Sequence, residues 1–71
     1  MDEPVRRFGQ NLRRLREARG LTQDEVADRA GTDAASIRRY ERGVRDPSIK
    51  ALVRLAQALD AKAADLLDEI D

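Results

Sequence analysis

The 71-residue sequence predicts an all-α fold of five short helices. Three observations carry that prediction. Apolar residues recur at spacings of three and four, the helical period, while alternation of apolar and polar residues never persists. Residues suited to helix starts, Pro4, Thr22, Asp33 and Ser48, precede or open the apolar runs. Gly20, Gly31 and Gly43 follow three of those runs at the spacing of helix ends, and Gly9 shares the same punctuation-like spacing. The length sets one domain, 1–71, with helices over about 4–19, 22–30, 33–42, 48–59 and 63–69. A chain this short buries only about 60% of the surface its unfolded form exposes.

The first helix opens at Pro4, preceded by Asp2 or Glu3, and runs to Arg19. Val5, Phe8, Leu12, Leu15 and Ala18 form its apolar stripe, and Gly20 stops it. The second helix carries the clearest punctuation. Thr22-Gln23-Asp24-Glu25 fits a capping box, and Leu21 before the cap pairs with Val26 as a hydrophobic staple. Val26, Ala27 and Ala30 face inward, and Gly31 ends the element. Only Gly31-Thr32-Asp33 separates it from a third helix, capped by Asp33, that runs from Ala34 to Arg42 and closes at Gly43. Two short helices joined by a tight glycine-containing turn make a helix-turn-helix. Val44–Pro47 is a basic loop. Ser48 caps the fourth helix, with Ile49, Leu52, Val53, Leu55, Ala56 and Leu59 apolar. Asp60-Ala61-Lys62 connects it to a fifth, from Ala63 to Glu69, carrying Leu66, Leu67 and Ile70.

Composition narrows the function. The chain has no cysteine and no histidine, so disulfides, thiolate metal sites and the commonest general base are excluded. No cofactor or metal is expected. No apolar stretch approaches the ~20 residues of a membrane span, and from the acidic Met1-Asp2-Glu3-Pro4 no signal peptide is expected. The expected location is the cytoplasm, in association with the nucleoid. Catalysis finds no support: the adjacent acids Asp24/Glu25 and Asp68/Glu69 diverge by about 100° on a helix, and the acids of 60–71 lack calcium-loop spacing.

Net charge is zero, from 14 basic and 14 acidic residues, yet the charge is polarised. Residues 34–45 hold Arg38, Arg39, Arg42 and Arg45 against Glu41 alone, a net of +3, whereas residues 60–71 carry a net of −4. The planar fork of arginine suits phosphates and guanine edges.

The run from Phe8 to Arg16, Gly20-Leu21-Thr22-Gln23, then Ala27, Gly31 and Ile37, Tyr40-Glu41-Arg42-Gly43, and Pro47-Ser48 together resemble the Cro/CI-type (XRE) phage-repressor helix-turn-helix domain. The resemblance spans about residues 5–68. It implies a compact five-helix, lambda-repressor-like domain in which helices two and three read double-stranded DNA. It also implies transcription regulation, commonly repression, by a dimer on a two-fold operator.

Helical geometry places candidate readers without reference to family. Ile37 and Tyr40 must face the core, so Ala35, Arg39 and Arg42 lie opposite, flanked by Ser36 and Arg38. The resemblance implies base contacts at Ala34, Ala35 and Arg39. Alanine cannot hydrogen-bond to a base but packs on a thymine methyl. Direct readout therefore falls on Arg39, with Ser36 and Arg38 beside it; for Arg38 a solvated surface role stands open as an alternative. Thr22, Gln23, Arg42, the Gly43 N–H and Arg45 are the phosphate candidates, and Ser36 is within their company. The resemblance further implies a partly buried ion pair between Arg16 and Glu41 that orients the third helix. Arg6, Arg7, Arg13, Arg14 and Arg19 are expected at the surface, with Arg13 or Arg14 close enough to approach a phosphate. Leu59, Ala63, Leu66, Leu67 and Ile70 are candidates for a homodimer interface, the alternative being that all pack on helices one and four.

The expected function is a sequence-specific transcriptional regulator, not an enzyme: a restriction–modification controller, a phage or plasmid repressor, or a DNA-binding antitoxin. No small-molecule effector domain is expected, and a protein partner is admitted. The reading from another class is a protein-interaction module that keeps the fold without DNA binding.

Overall fold

The computed structural model describes residues 3–71, so Asp2, weighed above as the residue before Pro4, lies outside the described residues. Five helices follow in order: α1 (Glu3–Ala18), α2 (Gln23–Ala30), α3 (Ala34–Glu41), α4 (Ile49–Ala58) and α5 (Ala63–Leu66). No strand occurs among the described residues. α1 packs on α3 and α5, α2 on α3 and α4, and α4 on α5. Phe8 and Leu12 from α1, Val26 from α2, Ile37 from α3, Leu55 from α4, Leu59 just beyond it and Leu66 from α5 are each 2% exposed or less and form the centre of one core. Ala18, placed on the apolar stripe by sequence, is exposed instead.

The caps form as the sequence dictates. Thr22 Oγ1 accepts from the Glu25 N–H at 3.1 Å while the Thr22 N–H donates to Glu25 Oε1 at 2.9 Å. Asp33 Oδ1 accepts from the Ser36 N–H at 2.7 Å, and Ser48 Oγ from the Ala51 N–H at 3.0 Å. Both acids are held below their ordinary pKa: Glu25 by the Thr22 N–H above all, Asp33 by the Ser36 N–H.

Three further features differ from the sequence reading. α5 ends at Leu66 rather than Glu69, and Glu69 adopts a left-handed φ of 63°. Asn11, 4% exposed, donates from Nδ2 to the carbonyls of Leu66 and Asp68, both at 2.9 Å, tying the turn that follows α5 to α1. Asp68, Glu69 and Asp71 also set negative charge at the helix's negative end. Second, Gly9 is not punctuation. It lies inside α1, buried, where an added Cβ would collide with the Tyr40 carbonyl and stand 2.9 Å from that of Glu41. Its missing side chain lets α1 cross directly on the end of α3. Third, Arg19 is not merely solvated: its guanidinium donates to the Leu59 carbonyl at 2.8 Å and to that of Asp60 at 3.4 Å, closing the end of α4.

Candidate nucleic-acid interface

The second and third helices meet across a three-residue turn whose Gly31 sits at a φ of 71°, a conformation that favours glycine. The turn fixes α3 against α2, and Ile37 and Tyr40 anchor it to the core at 0% and 5% exposure. Tyr40 meets Phe8 edge-on, with ring centroids 5.8 Å apart and planes at 89°. Arg38 and Arg39 stand exposed on the opposite side, with no hydrogen bond or ion pair to the rest of the described residues; Ala34 and Ala35 are half-buried beside the cap.

Glu41 is the only acid of α3, and it is turned inward. Arg16 Nε donates to Glu41 Oε2 at 2.7 Å and Arg16 Nη2 to Oε1 at 3.1 Å, with side chains 13% and 5% exposed. Arg16 Nη1 also donates to the Leu21 carbonyl at 2.9 Å, and Gln23 Nε2 donates to Glu41 Oε1 at 3.1 Å. One carboxylate thus ties α1, the entry to α2 and the end of α3. The hydrogen bond to Glu41 raises the Arg16 pKa, against a smaller opposing effect of burial. The sequence expectation did not include Gln23 in this group. Its signal was weak, because Gln23 precedes Glu41 by 18 residues and no periodicity links them.

On the outer side of the network an open groove of about 600 Å³ is lined by Arg13, Arg38 and Arg42 together with Thr22 and Gln23. The fold therefore brings together Thr22, Gln23, Arg38 and Arg42 among the expected contacts, and adds Arg13.

Ser36 and Gly43 depart from the expectation. Ser36 is 4% exposed, and its Oγ accepts from Arg45 Nη1 at 2.7 Å. It precedes Tyr40 by four residues, so it shares the inner face of α3. It is a buried acceptor rather than a base or phosphate contact. The Gly43 N–H already donates to the Tyr40 carbonyl at 3.1 Å, and the residue is buried, its Cα packed near Arg6 at a φ of 74°. It closes α3 and has no N–H to offer a phosphate. Arg45 is exposed yet held: besides Ser36, its guanidinium lies 5.2 Å from the Tyr40 ring centroid.

The expected interface residues also divide. Leu59 and Leu66, at 1% and 0% exposure, belong to the core, and Ala63 and Ile70 pack partly against it. Of the five only Leu67 is exposed, at 41%, and the other outward apolar residues of this end are Ile49 at 77% and Val53 at 42%. Leu59 and Leu66 turn inward because in so small a chain the large aliphatics are needed at the centre.

No helix among the described residues is long and apolar enough to cross a membrane. The Helix-turn-helix family matches residues 12–66 of this chain. An uncharacterised HTH-type transcriptional regulator, y4dJ of Sinorhizobium fredii (strain NBRC 101917 / NGR234), is 41% identical over 63 residues, covering 89% of this chain and 82% of that protein. A further HTH-type regulator, YqaE of Bacillus subtilis (strain 168), is 35% identical over 60 residues; the match takes in 84% of this chain and 52% of YqaE, so the chain spans about half of that relative. Among solved structures, the restriction-modification controller protein C.AhdI from Aeromonas hydrophila is similar with a TM-score of 0.85 and 40% identity, over 87% of this chain and 94% of that one.

Proposed function

The chain belongs to the helix-turn-helix family of transcriptional regulators, which are not enzymes, and on that premise we propose that it binds double-stranded DNA in a sequence-specific manner with α3 in the major groove. One observation carries the proposal. The only carboxylate within α3 is neutralised internally by Arg16, so the outward surface of the helix is cationic, with Asp33 at its cap the one acid close to Arg39. A helix serving only to fill a fold has no need of an unpaired arginine pair aimed at solvent.

Arg39 reads a base edge, by preference guanine, and Arg38 stands beside it. Ala34 and Ala35 pack on thymine methyls. Thr22, Gln23, Arg42 and Arg13 hold backbone phosphates along the groove they line, and Arg45 supplies a further cation at the opposite end of α3. Arg16 and Glu41 orient the reader and do not touch DNA. The protein acts as a homodimer whose contact is Ile49, Val53 and Leu67, so half-sites lie about 34–36 Å apart. Likeness to C.AhdI favours a restriction–modification controller over a phage or plasmid repressor or an antitoxin.

Selection of bound sequences from a random duplex pool tests this reading. The expected product is an inverted repeat, and Arg39→Ala relaxes preference at one base pair per half-site by about 1–3 kcal/mol. Recovery of no consensus, or a consensus unchanged by Arg39→Ala, overturns it; no recovery at all leaves the protein-interaction module as the better account.

A further inference from the structure

The turn between α2 and α3 and the first turns of α4 enclose an open-sided pocket of about 260 Å³ on a different part of the surface from the Arg13–Arg42 groove. Arg45, Lys50 and Arg54 line it, and no carboxylate does. Asp33, which does not line the pocket, lies close enough to Arg45 to feel its charge, and within the pocket wall itself the three cations meet no carboxylate. Lys50 and Arg54 lie four residues apart on α4, a spacing at which like charges repel, and neither forms an ion pair among the described residues.

A second, independent feature adds a polar group to the pocket. Tyr40 lines the same pocket and is 5% exposed, yet its hydroxyl has no hydrogen-bond partner among the described residues. The hydroxyl is not sealed from solvent either, since no buried side-chain polar atom is left unsatisfied. The hydroxyl is therefore a donor open to a ligand in the pocket. Arg45 is preset beside it by Ser36 and by the Tyr40 ring, so its guanidinium needs little ordering on binding. Ala51 and Leu55 add an apolar wall.

We propose that this pocket binds a small phosphorylated organic molecule. The phosphate monoester, close to a dianion at neutral pH, meets the three cations and accepts from the Tyr40 hydroxyl, while the carbon skeleton lies against Ala51 and Leu55. A guanidinium fork and an ammonium suit a tetrahedral anion, and the volume, at the small end for ligand pockets, limits the skeleton to a few carbons. Because Arg45 also bonds Ser36 of α3, ligand and recognition helix share one guanidinium. The inference does not require the DNA reading, although Arg45 is common to both, and it is tested on the free protein.

The test is a titration of the ¹⁵N-labelled chain with sn-glycerol 3-phosphate, followed by amide shifts. Glycerol, and potassium chloride at matched ionic strength, serve as controls. Saturable shifts of Thr32, Lys50, Ala51 and Arg54 are expected with the phosphate ester and with neither control. The exposed double substitution Lys50→Gln/Arg54→Gln is expected to weaken binding about a hundredfold, each lost charge-assisted hydrogen bond being worth about a factor of ten. Shifts that never saturate, that the salt reproduces, or that persist unchanged in the double variant overturn the proposal. A DNA duplex arm separates the two sources of phosphate. If the duplex moves these amides and the ester does not, the cations serve the DNA backbone and the proposal falls.

Discussion

Glu41→Ala is the substitution whose cost the structure defines best. It leaves Arg16, 13% exposed, without its bidentate partner, and leaves Gln23 Nε2 without its acceptor. Breaking a buried pair by removing one member costs about 3–5 kcal/mol. Arg16 keeps the Leu21 carbonyl and a solvent edge, which places this case at or just below the bottom of that range, about 2–3 kcal/mol. A chain of 71 residues has a total stability of only about 4–10 kcal/mol. A large share is therefore lost, and the melting temperature falls by about 10–20 °C. Two comparisons isolate the cause. Arg13→Ala removes an exposed pair with Glu17, side chains 64% and 55% accessible, and costs under about 1 kcal/mol. Arg16→Met/Glu41→Leu replaces the pair by apolar groups and recovers most of the stability. Urea and thermal unfolding measure all three. If Glu41→Ala costs no more than Arg13→Ala, or the double variant is as unstable as the single, the pair does not hold α3 as described.

Gly9→Ala drives a Cβ into the Tyr40 and Glu41 carbonyls, so despite the better helix propensity of alanine it destabilises by about 1–3 kcal/mol in urea unfolding; a gain in stability contradicts the close crossing of α1 and α3. The pKa values of Glu25 and Asp33 are lowered in the folded chain, so the stability from their caps is full above the unfolded carboxylate values near pH 4 and is lost as pH falls through the folded ones. Melting temperatures between pH 7 and 3 show this decline, and Asp33→Asn, which keeps a cap without a charge, makes it shallower; an unchanged slope excludes Asp33 as a contributor. Ile49→Glu/Leu67→Glu gives a folded monomer in sedimentation velocity, because both side chains are exposed in the isolated chain. Dimers that persist in that variant place the interface elsewhere.

The helix order, the caps and the core-facing residues of α3 were legible in the sequence because each rests on local chemistry. A capping box spans four residues, a helix face repeats every three or four, and both signals survive without tertiary context. What stayed hidden depended on long-range contact. Asn11 holds carbonyls 55 and 57 residues away, in the turn that follows α5. Arg19 reaches across 40 residues to the end of α4. Gly9 carried a readable signal, since an isolated glycine within a helical pattern is costly unless something packs there. Ser36 was likewise readable as a residue sharing the face of Tyr40. The aliphatics of the acidic end could not be sorted by spacing, because Leu66 and Leu67 are adjacent and only packing decides which turns inward.

The most direct test of the account is the salt dependence of binding to a random-sequence duplex. A polarised domain that grips the backbone through arginines around α3 loses affinity linearly in log salt, with a slope of about −0.9 per phosphate neutralised. Two or three arginines from each protomer of a dimer give a slope of about −4 to −5. No binding at low salt, or an affinity that salt leaves unchanged, contradicts the central claim that the outward face of α3 and its flanking groove are built for DNA.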